Sequence, residues 1–84
     1  MNQLPNISEL ADAILDVMKI GDQKRFKEID SLVAEKLNIP RNLLDQIRLG
    51  KRTEYAYRMA WAKQKLKSAK NLENKGGGNW KRIS

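Results

Sequence analysis

Apolar residues recur at intervals of three and four through most of this chain, and that spacing predicts helices. Leu10, Ala11, Ile14, Leu15 and Met18 trace one face of a first helix over residues 7–20, closed by Gly21. Asn6 precedes Glu9 by three positions, the spacing of a capping box, and Ser8 is an equally good cap. Residues 1–5 read as a loose terminus. Alternation of polar and apolar positions around Arg25-Phe26-Lys27 predicts a short strand over 24–27, with Phe26 turned to the core. A second helix over 28–38 places Ile29, Leu32, Val33 and Leu37 inward, and Pro40 stops it by disfavouring helical geometry in the residue before it. A shorter helix over 41–49 would bury Leu43, Leu44 and Ile47 before Gly50 breaks it.

The longest helix is expected over 53–71, with Thr53 as its cap. Tyr55, Met59, Ala62, Leu66 and Ala69 form its buried stripe. The opposite side carries Tyr57, Gln64 and Ser68, flanked by Ala60 and Lys67, with Trp61 towards one edge. Lys63 and Lys70 fall near one boundary of the stripe and Lys65 near the other. Over 72–84 the periodicity is lost. Asn74-Lys75-Gly76-Gly77-Gly78-Asn79 is a turn whose glycines are free to take positive φ, so this end is expected to be a β-hairpin. The glycine triplet is a weak sign of a phosphate-cradling loop, because no Gly-Lys-Ser/Thr ending or following helix accompanies it.

Composition narrows the chemistry. The 84 residues make one domain and include neither cysteine nor histidine, which removes disulfides, thiolate or imidazole zinc sites and the commonest general base. No apolar run is long enough to span a bilayer and the N-terminus lacks a signal-peptide pattern, so a cytoplasmic location is the default. The net charge of +7 is unevenly spread: residues 1–40 hold five Lys/Arg against seven Asp/Glu, and residues 41–84 hold twelve against three. Such asymmetry points to a polyanionic partner. Nucleic acid ranks above an anionic membrane, because the apolar stripes are needed for the core and leave no face for lipid.

Helices, a brief strand, a long basic helix and a terminal hairpin are the order of a winged helix-turn-helix: mainly α with a small β-hairpin. The long helix would enter the major groove, which admits one α-helix, and the hairpin would be the wing. Tyr57 and Gln64 are the candidate base contacts; Lys51, Arg52, Lys63 and Lys67 are candidate phosphate contacts, which orient a protein without reading sequence. Lys75 at the wing tip is a candidate contact to the flanking backbone or minor groove, and Lys81 and Arg82 beyond it are further candidate DNA contacts. Arg58 is placed equally well to reach phosphate or to pair with an acidic residue of the first two helices. For each lysine singly, a solvated surface charge is the plainer explanation, and clustering in one half is what favours function. Trp61 is expected to pack against the 41–49 helix, and Trp80 to hold the hairpin to the helices.

Gly50, Tyr55, Arg58, Trp61-Ala62, Leu66, Ala69 and Leu72, with Gly78-Asn79-Trp80 and Ile83-Ser84, resemble the N-terminal domain of Mrr-type restriction endonucleases. The earlier Gly21 and Phe26-x-x-Ile29 fit the same pattern, so the resemblance covers roughly residues 7 to 84. It implies a winged-helix domain that binds double-stranded DNA and is joined, in the family, to a nuclease acting on DNA with methylated adenine or cytosine. One departure stands out: two residues separate Trp80 from Ile83 where the family usually has one, which predicts a bulge near Lys81-Arg82. The nuclease centre has no counterpart here. Asp45, Glu54 and Glu73 are scattered, so neither catalytic residues nor a metal site or small-molecule cofactor is expected. A small phage or bacterial winged-helix transcription regulator and a protein-interaction module that docks a helix on Tyr57 and Trp61 are the alternatives.

Overall fold

The capping box forms. Asn6 Oδ1 accepts from the Glu9 amide at 2.8 Å and Glu9 Oε1 accepts from the Asn6 amide at 3.0 Å, so two otherwise orphaned donors are satisfied at the start of α1 (Ile7–Val17). This computed structural model describes residues 2–84; Met1 lies outside the described residues. Residues 2–5 are not the loose terminus expected, since Leu4 enters the core and the Leu4 and Pro5 carbonyls accept from Arg58 Nη1, each at 3.1 Å. α1 also stops three residues early. Met18 turns extended to place its side chain in the core, and Arg82 Nη1 donates to the Leu15 and Met18 carbonyls at 2.6 Å each. A cation there satisfies orphan carbonyls at the negative end of the helix dipole.

Next come β1 (Gln23–Arg25) and α2 (Phe26–Lys36). Phe26 is therefore the first residue of a helix rather than the end of a strand, and it is partly exposed. Its amide donates to the Gly78 carbonyl at 2.8 Å, which ties the start of α2 to the far end of the chain. α2 ends by a Schellman motif ahead of Pro40: Asn38 takes φ 52°, and the Ile39 and Asn38 amides donate to the Ala34 and Glu35 carbonyls.

The predicted 41–49 helix is replaced by α3 (Arg41–Leu44) and a small hairpin of β2 (Ile47–Leu49) and β3 (Arg52–Thr53). Leu43 is buried, but Ile47 is 61% exposed rather than inward. The chain reverses at Gly50, whose φ of +60° suits a turn, and the Glu54 amide donates to the Gln46 carbonyl at 2.9 Å to close the loop.

α4 (Glu54–Ser68) is capped by Thr53 Oγ1, which accepts from the Ala56 amide at 3.0 Å. Tyr55, Met59, Ala62 and Leu66 are buried as the stripe requires, whereas Ala69 lies past the helix end and is exposed. These side chains meet Leu10 and Ile14 of α1 and Ile29 and Val33 of α2 in one cluster, closed by Leu72 and Trp80. A second Schellman motif ends α4, with Lys70 at φ 64° and the Asn71 amide donating to the Leu66 carbonyl at 2.8 Å.

The chain finishes as β4 (Leu72–Gly76) and β5 (Asn79–Arg82), and β1 adds to β5 to give an antiparallel sheet in the order β1-β5-β4. The expected bulge near Lys81-Arg82 is absent from the described residues: Glu73 faces Lys81 and Leu72 faces Arg82 in regular register. The irregularity falls on the other strand, between Asn74 and Gly76, beside the turn. Regular alternation turns Trp80 inward, Lys81 to the outer sheet face and Arg82 back to α1. Ile83 then follows the strand end on the exposed side, which is how the two-residue spacing is accommodated.

Candidate nucleic-acid interface

The outward side of α4 carries an aromatic pair one turn apart. Tyr57 and Trp61 meet edge to face with centroids 6.5 Å apart, and Trp61 is 52% exposed rather than packed on the α3 segment. The Arg48 guanidinium lies 3.6 Å from the Tyr57 ring centroid and that of Arg52 lies 5.7 Å away. Gln64 and Ser68 continue this exposed ridge by helical spacing.

The basic residues divide into two groups. Arg58 belongs to the interior framework: besides holding Leu4 and Pro5, its Nε donates to Glu54 Oε2 at 2.7 Å. It pairs within its own helix, not with the acidic residues of α1 or α2. Arg48 reaches the same carboxylate at 3.0 Å, and hydrogen bonds from Arg58 first and Arg48 second hold the Glu54 carboxyl below its usual range. Arg82 caps α1. Lys63 is the clearest correction. It was expected at the rim of the stripe with its ammonium at phosphate, but it is 4% exposed and its Nζ sits 2.5 Å from Asp30 Oδ1. Three candidates, Arg58, Lys63 and Arg82, are thus occupied by protein acceptors.

Burial of Asp30 raises its carboxyl above the ordinary value, outweighing the opposing pull of Lys63. The Tyr55 hydroxyl donates to the Asp30 carbonyl at 2.6 Å, and burial together with the Asp30 charge pushes its pKa up. By contrast Lys51, Arg52 and Lys67 are exposed and make no ion pair among the described residues. Lys81 is half-buried on the outer sheet face, also without an ion pair among the described residues. Lys75 extends from the hairpin and bridges Glu73 at 2.8 Å, a contact on the surface that holds the Glu73 carboxyl low.

Between α2 and α4 the surface opens into a cleft of about 540 Å³. Ala56 and Ala60, one turn apart, leave the space unfilled on the α4 side. Phe26, Trp61 and Trp80 supply aromatic lining, the Asp30–Lys63 pair lies within it, and Gln64 and Arg52 complete it. Lys63 Nζ also stands 5.6 Å from the Phe26 ring centroid. Gly78 presses on Phe26 from the hairpin; a Cβ there would come within 2.8 Å of Phe26 Cδ1, and φ is +81°. A smaller hollow on the other side, lined by Ile7, Lys65 and Ser68, leaves Trp61 and Gln64 standing between the two.

The profile of the Mrr N-terminal domain matches residues 8–82. The chain belongs to that family. No curated protein and no solved structure gives a significant match. The matched unit of the Mrr family is an N-terminal domain and not its catalytic nuclease domain. No helix among the described residues is long and apolar enough to cross a membrane.

Within this Mrr N-terminal domain, the residues that carry the resemblance are mostly structural. Tyr55, Ala62, Leu66, Leu72 and Trp80 are core, Arg58 braces the terminus, and Gly78 lets the hairpin approach Phe26. Trp61, 52% exposed, and Phe26, 37% exposed, are large members left open beside the cleft. Arg48 and Asp30 were not among the expected functional residues. Asp30 had one signal in the sequence, a carboxylate adjoining the Ile29/Val33 stripe, whereas nothing marked Arg48 as the cation stacked on Tyr57.

Proposed function

We propose that this domain is a winged-helix module that binds double-stranded DNA, with α4 in the major groove and β4–β5 as the wing, serving an Mrr-type restriction system that acts on modified DNA. The sheet order β1-β5-β4 behind a helix, strand, helix and long helix supports the winged-helix assignment. The observation that carries DNA binding is the division of the cations. The interior uses Arg58, Lys63 and Arg82. Lys51 and Arg52 at one end of α4 and Lys67 near the other, with Lys75 on the hairpin and Lys81 on the sheet, remain for phosphate. The Tyr57–Gln64 ridge between them offers hydrogen-bonding groups to base edges, and a glutamine can bond adenine through two atoms.

Salt dependence tests this. Neutralising about five phosphates should make log K fall against log salt with a slope of roughly −4 to −5. Lys67→Ala should weaken binding to all duplexes alike and flatten the slope by about one. A slope near zero would exclude the DNA reading and favour docking of a protein on the Tyr57/Trp61 face.

A further inference from the structure

We infer that the cleft between α2 and α4 receives a single nucleobase drawn out of the bound duplex. This rests on the DNA-binding reading above and goes beyond it, since groove recognition leaves every base in its stack. At about 540 Å³ the cleft falls within the roughly 300–1,000 Å³ typical of sites for small molecules. Its lining combines what an extruded base requires: aromatic surface to replace lost stacking and polar groups to meet the Watson–Crick edge. Phe26, Trp61 and Trp80 provide the first.

Asp30 and Gln64 provide the second. Lys63 occupies Asp30 Oδ1, and Oδ2 makes no hydrogen bond among the described residues, so it is available to accept from an exocyclic amine of cytosine or adenine. Gln64 brings a donor and an acceptor on a side chain with no protein partner among the described residues. Arg52 belongs to the same cleft and carries the positive charge that an adjoining phosphate needs. An apolar helix of a partner protein is the poorer occupant, because it would cover a buried ion pair and bring nothing for Asp30 Oδ2 to accept. The position matters as well. Trp61 and Gln64 belong both to the cleft and to the exposed ridge of α4, so a base leaving the groove has a short path.

The test uses the full chain and two otherwise identical duplexes, one fully paired and one carrying 2-aminopurine in a mismatch, where extrusion costs least. Expected are a several-fold rise in 2-aminopurine fluorescence at saturation and about tenfold tighter binding to the mismatched duplex. Ala60→Leu, which fills the cleft, should remove both effects while keeping the melting temperature and the salt slope. Trp61→Ala, at an exposed position, should do the same and stands in if Ala60→Leu fails to fold. Binding of the paired duplex with no fluorescence rise on the mismatched one overturns the inference and leaves the DNA reading intact. So does a rise that both variants retain, which would assign the cleft to a different partner. Binding to neither duplex at low salt overturns both.

Discussion

The two hairpins of this domain share antiparallel pairing, a glycine-bearing turn and basic side chains, yet only one is anchored to the interior. β4–β5 gains a third strand from β1, buries Leu72 and Trp80, and sends Arg82 to the carbonyls of α1. β2–β3 has two strands, with Ile47 and Leu49 standing 61% and 78% exposed. Its ties are local: the backbone bond from Glu54 to Gln46, and Arg48 lying between Tyr57 and Glu54. An isolated two-stranded hairpin is marginal in water, whereas a third strand and a packed face make one independent of its turn. Tertiary partners, not strand propensity, therefore decide which hairpin is a fixed platform.

The sharpest way to break this comparison is to remove one large apolar group from each. Trp80→Ala should destabilise the domain by about 3–5 kcal/mol, enough in a chain this size to threaten cooperative unfolding. Leu49→Ser should change stability by no more than about 0.5 kcal/mol, because an exposed side chain is replaced by a polar one. Urea unfolding of both variants decides. Similar losses would mean that β2–β3 contributes to the core after all.

The ion pairs beside the hairpins differ in depth, and they should respond to acid with opposite sign. Lys63→Met leaves the Asp30 carboxylate partly buried without its partner, at a cost of about 1–3 kcal/mol near neutral pH. Burial already raises the folded-state pKa of Asp30, so folding favours its protonated form. That contribution is present below the unfolded value and is lost as pH rises through the folded one. The Lys63→Met defect should therefore shrink on acidification. Glu54, under β2–β3, has a lowered pKa, so its stabilisation exists above the unfolded value and disappears as pH falls through the folded one. Being accessible to solvent, that pair is worth at most about 1 kcal/mol. Unfolding of the parent and of Lys63→Met between neutral and acid pH checks both signs.

How much of this was legible from sequence follows the range of each interaction. The faces of α1, α2 and α4 were readable because eleven or more residues each repeat the helical period. The 41–49 segment was misread because Leu43, Leu44 and Ile47 satisfy helical spacing over too short a stretch to exclude a turn of helix followed by a hairpin. Arg58 and Arg82 were placed among the DNA contacts because their acceptors are backbone carbonyls more than fifty residues away, which leave no mark in composition. Lys63 sat at a stripe boundary that periodicity leaves open, and only the placement of α2 beside α4 brings Asp30 to it. The cleft was invisible for the same reason: its residues come from α2, β3, α4 and β5.

The smallest effect concerns one positive-φ residue at each hairpin, in the turn of β2–β3 and at the entry to β4–β5. β2–β3 turns through Gly50 at φ +60°, a conformation glycine adopts without strain. The chain leaves α4 for β4 through Lys70 at φ 64°, where a side chain is strained by about 1–2 kcal/mol. The Schellman bonds around Lys70 hold it there, from the Lys70 amide to the Lys67 carbonyl at 3.0 Å and from the Asn71 amide to that of Leu66 at 2.8 Å. Lys70→Gly relieves the strain, and the added freedom of glycine in the unfolded chain takes back roughly 0.5–1 kcal/mol. A net gain of about 0.5 kcal/mol is expected. Gly50→Ala is the mirror experiment: a Cβ meets nothing within 4 Å, so any loss comes from the backbone alone. Amide exchange separates the two. Lys70→Gly should slow exchange across α4 and β4–β5 together, because that hairpin opens with the core. Gly50→Ala should speed exchange in β2–β3 only, and acceleration that spread into α4 would show the two hairpins to be coupled.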